Sequence, residues 1–259
     1  MNFNRGILVN EGFFRGISRK ISYRILMWAE NINNADLKTN GESYFLEKLL
    51  YGRDSFTFFD VGANVGDYAV SVLGFLPHAE VHLFEPSPDC SEVLKKKLAA
   101  MSNVNLNECA CSDSEGSAVL WFDKPGSSLS SLYKRDLKEY SADLSFSMEV
   151  KTLPLESYIL AHSITCIDLL KIDVEGHEKN VLAGLGKYLS PDYVTCIQFE
   201  YGGCYLDSRT SLRDIYRILE PAGYDVCKIM PNGLLPLSYQ STMDNFQYAN
   251  YVAVPARGL

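Results

Sequence analysis

From residue 56 to residue 254, short apolar runs alternate with stretches of helical periodicity, and this alternation constrains the fold more than any other feature. Runs at 56–61, 80–84, 104–111, 167–174, 193–200, 225–229 and 250–254 read as strands; stretches at 68–76, 88–101, 154–161, 178–189 and 212–222 read as helices. Strand followed by helix at this rhythm predicts an α/β fold, a parallel sheet with helices on both faces. A parallel strand covered on both faces should be an unbroken apolar run, and 167–174 is one until its last residues. Two further strands, 118–122 and 147–152, bracket an insert at 124–146. Its Pro125, Gly126, Ser127, Ser128, Ser130 and Ser131 suit either a lid or a plain surface loop. In such sheets ligands bind beyond the carboxyl ends of the strands, where the strand order reverses. The chemistry is therefore expected just after each strand.

Residues 1–50 differ from the rest and read as an N-terminal helical extension before a catalytic domain at 51–259. The stretch 5–28 holds Arg5, Arg15, Arg19, Lys20 and Arg24 against one acid, Glu11. Phe13, Phe14, Ile17, Ile21, Ile25 and Trp28 recur between them at helical spacing, which predicts a basic amphipathic helix. A second short helix is expected at 43–50. The whole chain of 259 residues has a formal charge of -8, with 24 Lys and Arg and 32 Asp and Glu. Residues 1–28 hold five of the basic and one of the acidic groups, leaving 19 and 31 for the remainder. An acidic main domain is a poor fit to a phosphate backbone, so nucleic acid is not an expected partner. The extension suits peripheral docking on an anionic membrane surface, packing on its own domain, or self-association as a homo-oligomer. The seven cysteines are odd in number and lack C-x-x-C spacing, which predicts free, reduced thiols and a cytoplasmic protein.

The strand ends carry the informative residues. The first run ends in Asp60-Val61-Gly62-Ala63-Asn64-Val65-Gly66. Glycine permits close backbone approach and positive φ, so a cofactor can lie over this turn. The spacing is neither the Walker loop nor G-x-G-x-x-G. The carboxylate of Asp60 would repel a pyrophosphate but suits a cationic cofactor. Glu85 closes the second run, 23 residues after Gly62, where a carboxylate takes the ribose hydroxyls of an adenosine. The third run ends in Cys111-Ser112-Asp113, which reads as turn chemistry or as an adenine contact. The fourth ends in Lys171-Ile172-Asp173-Val174-Glu175-Gly176-His177-Glu178, five ionisable groups in eight residues. Such crowding is costly to bury and marks a candidate site; acids capping the next helix are the plainer reading.

Together these blocks resemble the FkbM family of S-adenosylmethionine-dependent methyltransferases. Phe59–Gly66, Phe84-Glu85-Pro86, Ala110–Asp113 and the block at 171–178 carry the likeness, which spans about residues 42–254 and takes in Glu200 and Asn250. The resemblance implies a class I methyltransferase fold, Rossmann-like, with a seven-stranded, mostly parallel sheet whose last strand is antiparallel. It implies O-methylation of a hydroxyl, with S-adenosyl-L-methionine as cofactor and a glycan or other small hydroxylated molecule as acceptor. By residue, it implies that Gly62, Ala63, Asn64 and Gly66, with Asp60 and Tyr68 beside them, line the methionine and ribose side. Glu85 holds the ribose, Cys111 and Ser112 meet the adenine, and Asp173 sits near the reactive end.

A neutral alcohol is a poor nucleophile, so assistance is expected. His177 is the natural base, Asp173 the second candidate, and Lys171 an orienter or, if desolvated, a base. Glu175 belongs to the same catalytic block. Asp173, Glu175, His177 and Glu200 could converge on Mg²⁺ or Mn²⁺, and metal dependence stays open. Two other classes compete: an NAD-dependent oxidoreductase, against which the missing G-x-G-x-x-G counts, and a non-enzymatic scaffold with a vestigial fold, against which the intact acid and glycine set counts.

Overall fold

The structure, a computed structural model, describes residues 13–138 and 141–256. Helix α1 (Phe13–Ala29) and α2 (Glu42–Leu50) precede β1 (Thr57–Val61), α3 (Asp67–Phe75), β2 (Glu80–Phe84), α4 (Pro88–Lys97) and β3 (Val104–Asn107). A side sheet follows, of β4 (Ala110–Cys111), β5 (Gly116–Phe122) and β6 (Phe146–Leu153). Then come α5 (Leu155–Ala161), β7 (Ile167–Ile172), α6 (Glu178–Ala183), β8 (Val194–Tyr201), α7 (Cys204–Ser208) and α8 (Leu212–Leu219). The chain ends in β9 (Tyr224–Met230), β10 (Gly233–Pro236) and β11 (Ala249–Pro255).

The main sheet has the order β10-β9-β11-β8-β7-β1-β2-β3. Strands β3, β2, β1, β7 and β8 run parallel, and β11 is antiparallel to both β8 and β9. This is the class I methyltransferase arrangement, with eight strands rather than seven. The additional strand, β10, folds back on β9 in a hairpin that a four-residue run with one apolar pair did not announce. The order reverses between β1 and β7, so the ends of these two strands flank the crevice where this fold binds ligands. Their register pairs Asp60 with Lys171 and Val61 with Ile172.

Both faces of the sheet are covered. Phe58 and Phe59 are each fully buried, one packed with Leu46, Tyr68 and Leu83, the other with Phe84, Tyr158 and Leu170. Helix α2 contributes Phe45, Leu46 and Leu50 to the first of these cores. Two expected elements are shorter for identifiable reasons. The run at 104–111 breaks after Asn107, where Cys109 N–H donates back to Asn107 O at 3.0 Å and the chain crosses to the side sheet. The helix expected at 178–189 is regular only to Ala183, because Gly186 at φ +51° breaks the helical path and starts a short 3-10 turn at Gly186–Tyr188. Starts are better specified: Ser87 caps α4 ahead of Pro88, and Ser211 and Asp214 form a capping box on α8. The predicted N-terminal helix is α1; Arg5 and Glu11 lie outside the described residues.

Candidate functional site

The turn after β1 is held against the turn after β7. Gly62 has φ +83°, and a Cβ there would stand 1.9 Å from the Asp173 carbonyl oxygen, so this contact admits glycine alone. Asn64 also has positive φ and directs its N–H to Glu85 Oε2 at 2.7 Å; Ser87 N–H donates to Oε1 at 2.7 Å. Two backbone donors thus fix the Glu85 carboxylate at the end of β2. Burial pushes its pKa up to about 7 against the pull of those N–H groups.

Two cavities meet here. A narrow cleft runs past Phe84, Glu85, Cys111, Leu120 and His177. A larger cavity of about 740 Å³ is lined by Asp60, Ala63, Tyr68, Lys171, Glu200 and Asn250, among others. Gly62, Asn64, Ser128, Asp173 and Glu175 line both. Asp173 therefore stands where the two cavities join.

The larger cavity is lined by six acidic side chains and two cations, Lys171 and Arg135. Lys171 Nζ lies 2.8 Å from Asp173 Oδ2 and 5.0 Å above the Tyr68 ring. Burial opposes its charge, but Asp173, Asp60 and Glu42 outweigh burial and raise the lysine above its ordinary range. Lys171 is thus an ammonium held in place. Asp60 is 1% exposed and neither carboxylate oxygen has a hydrogen-bond partner. Burial lifts it to about 6, with Lys171 opposing and Asp173 and Glu42 adding to the rise. Glu200 is raised well above the carboxylate range by burial and by Asp173, Glu175 and Glu178. Beneath the cavity Tyr68 O–H donates to Gln198 Oε1, and Gln198 Nε2 donates to Glu42 Oε1, each at 2.5 Å.

The insert at 124–146 is a lid in contact with the site. Asn64 Nδ2 donates to Ser127 O at 3.3 Å, and Ser131 Oγ donates to Glu175 O at 2.8 Å. Arg135 forms an ion pair with the Glu175 carboxylate, and Leu137 and Leu144 are buried. Tyr133 Oη lies 3.1 Å from His177 Nδ1, while His177 Nε2 lies 3.0 Å from Ser112 Oγ. Both ring nitrogens are engaged, and burial lowers the imidazole to about 4, so it is neutral near pH 7.

The sequence-predicted residues therefore divide. Asp60, Gly62, Ala63, Asn64, Tyr68, Lys171, Asp173 and Glu175 face the larger cavity; Glu85, Cys111 and His177 face the cleft. Ser112 lines neither and serves as a hydrogen-bond partner of His177; Gly66 caps α3 in a left-handed conformation. His177 is turned toward Ser112 and the lid, away from the larger cavity that holds Lys171 and Glu200. Among the described residues no group of three or more His, Cys, Asp or Glu side chains is placed to hold one metal ion. Glu175 is engaged by Arg135, and His177 points to the other cavity. Glu42, Gln198, Arg135 and the segment of Asn33, Ala35 and Leu37 complete the site without any sequence signal.

Glu178, fully buried at the start of α6, accepts from the N–H groups of Val174 and Gly176 at 3.2 Å and so shapes the turn that carries Asp173 and Glu175. Burial raises it from 4.5 to about 8. A raised folded pKa gives stability that is complete below the unfolded value and is lost as pH climbs through the folded one. Glu178→Gln stays neutral throughout. Its melting temperature is expected to match wild type near pH 4.5 and to exceed it by a margin that widens toward pH 8; a constant offset in thermal melts would contradict the assignment.

The family description "Methyltransferase FkbM domain" matches residues 60–226. Methyltransferase sdnD of Sordaria araneosa is 33% identical over 152 residues, 49% of this chain and 59% of that protein. The 2-O-methyltransferase NoeI of Sinorhizobium fredii is 29% identical over 137 residues, covering 48% and 55%. The 31-O-demethyl-FK506 methyltransferase FkbM of Streptomyces tacrolimicus is 32% identical over 153 residues, covering 49% and 58%. The matches thus span less than two thirds of these relatives.

Proposed function

The chain belongs to the FkbM methyltransferase family, and from that premise we propose that it transfers a methyl group from S-adenosyl-L-methionine to a hydroxyl of a sugar or comparable small hydroxylated acceptor. The observation that carries this reading is the position of Asp173, the carboxylate shared by the cleft and the larger cavity at the reversal of strand order. The residues present fit the cofactor. Glu85 accepts two backbone N–H groups and keeps about two of its four lone-pair sites for ribose hydroxyls. The unpartnered oxygens of Asp60 suit the ammonium of the methionine moiety. Two O-methyltransferase names among the relatives favour oxygen as the acceptor atom.

When bound, the cofactor would supply an electrophilic methyl group to the acceptor oxygen, leaving the hydroxyl proton for this chain's own residues to take. Asp173 takes the hydroxyl proton. Lys171 holds that carboxylate in place through the 2.8 Å ion pair. The proton does not go to Lys171, which its acidic neighbours keep charged. The lid, latched by Arg135 to Glu175 and by Tyr133 to His177, excludes water and orders the junction. His177 acts in this scheme as a positioning residue for the lid. Lys171 is engaged by Asp173 and Arg135 by Glu175, so the two cations that line the larger cavity are already paired, which disfavours an acceptor bearing phosphate or carboxylate.

The test is incubation with methyl-labelled S-adenosylmethionine and a set of glycosides, neutral and phosphorylated, followed by mass spectrometry. A neutral compound is expected to gain one labelled methyl on oxygen. Labelling of a nitrogen or carbon, or of phosphorylated compounds alone, would overturn the acceptor class.

A further inference from the structure

Helix α1 presents an apolar face that the other described residues leave exposed. At 100° per residue, Ile17, Ile21, Ile25 and Trp28 fall within an arc of about 80°. Their exposures are 41%, 54%, 58% and 83%. The helix is moored at its far end: Met27 packs on the main core, and Glu30 just beyond it pairs with Lys228 at 3.3 Å. The 17 residues of α1 include Arg15, Arg19, Lys20 and Arg24 and no acid. No helix among the described residues is long and apolar enough to cross a membrane. The geometry fits a helix that lies on a surface.

The charges decide between possible occupants. A second copy would pair α1 through the 17-21-24-28 seam, which places Arg24 against its twin and brings together basic residues with no acid on either helix to offset them. An anionic bilayer offers an apolar layer to the arc and negative charge opposite Arg15, Lys20 and Arg24. We propose that α1 docks in the plane of an anionic lipid surface, with Ile17, Ile21, Ile25 and Trp28 in the acyl boundary and the basic residues at the headgroups. The helix leads directly into the segment whose Asn33, Ala35 and Leu37 line the larger cavity, so the docking face and the cavity lie within ten residues of each other along the chain.

The test is flotation of the full chain with vesicles of phosphatidylcholine alone and with vesicles containing phosphatidylglycerol, at moderate salt. Binding is expected to the anionic vesicles only. Arg15→Gln/Lys20→Gln/Arg24→Gln is expected to weaken it about 10²-fold, roughly fivefold per charge. Ile21→Glu/Trp28→Glu is expected to abolish it, and both variants should melt with wild type because the altered side chains do not build the core. Absence of binding to either vesicle would overturn the proposal. So would undiminished binding by the variants, or a dimer in vesicle-free solution that Ile21→Glu/Trp28→Glu dissolves.

Discussion

Glu85→Ala is expected to weaken S-adenosylhomocysteine binding by about 10²-fold or more, because two hydrogen bonds from ribose hydroxyls to one charged acceptor are lost together. Glu85 is 6% exposed and clamped by the Asn64 and Ser87 N–H groups, so the carboxylate is already ordered before a ligand arrives. The same burial raises it to about 7. The hydroxyls donate to the ionised form, so wild-type affinity should rise with pH up to about 7 and then level off. Glu85→Gln, which keeps one acceptor oxygen and has no charge to titrate, should show an intermediate loss and no such rise. Calorimetric titration across pH measures both effects. Binding by Glu85→Ala within threefold of wild type would remove Glu85 from the ribose.

Asp173→Asn is expected to lower turnover by about 10² to 10⁴, the usual contribution of a positioned base, while S-adenosylhomocysteine affinity stays within a few-fold. Asparagine keeps the shape and a hydrogen-bonding oxygen near Lys171 but cannot take a proton. Lys171 keeps its acidic surroundings in Asp60 and Glu42, so the cavity is not stripped of balancing charge. His177→Gln gives the contrast. With both ring nitrogens hydrogen-bonded and the ring in the cleft, its loss should loosen the lid and raise KM for the acceptor more than it lowers kcat. Steady-state kinetics on both variants separates the two roles. A kcat abolished in His177→Gln and preserved in Asp173→Asn would reverse them.

The parts of this site that are local in sequence are legible in sequence. Gly62, Asn64, Glu85 and Asp173 each stand at or just past a strand end, where an apolar run stops and its chemistry begins, so period and position together find them. His177 is found in the same way, but its role is not, because the turn at Gly176 sends its ring to the other cavity and a ring direction leaves no trace in spacing. Ser112 follows the same logic: once the third run splits at Asn107, the side chain is carried onto His177 rather than into the cleft. Arg135, Glu42 and Gln198 are long-range partners. Arg135 reaches Glu175 from an insert with no periodicity, and Glu42 meets Gln198 across 156 positions. The fold was readable because strand and helix periods are local; the eighth strand and the α2 packing were not, since each depends on what it folds against.

The proposed function requires the crevice between β1 and β7 to bind an adenosine-bearing sulfonium cofactor. Calorimetric titration of wild-type protein with S-adenosylhomocysteine, and separately with NAD⁺, tests it most directly. One molecule of S-adenosylhomocysteine bound per chain, with no heat from NAD⁺, is the predicted result. A folded protein that gives no heat with S-adenosylhomocysteine, or that binds NAD⁺ in its place, would contradict it.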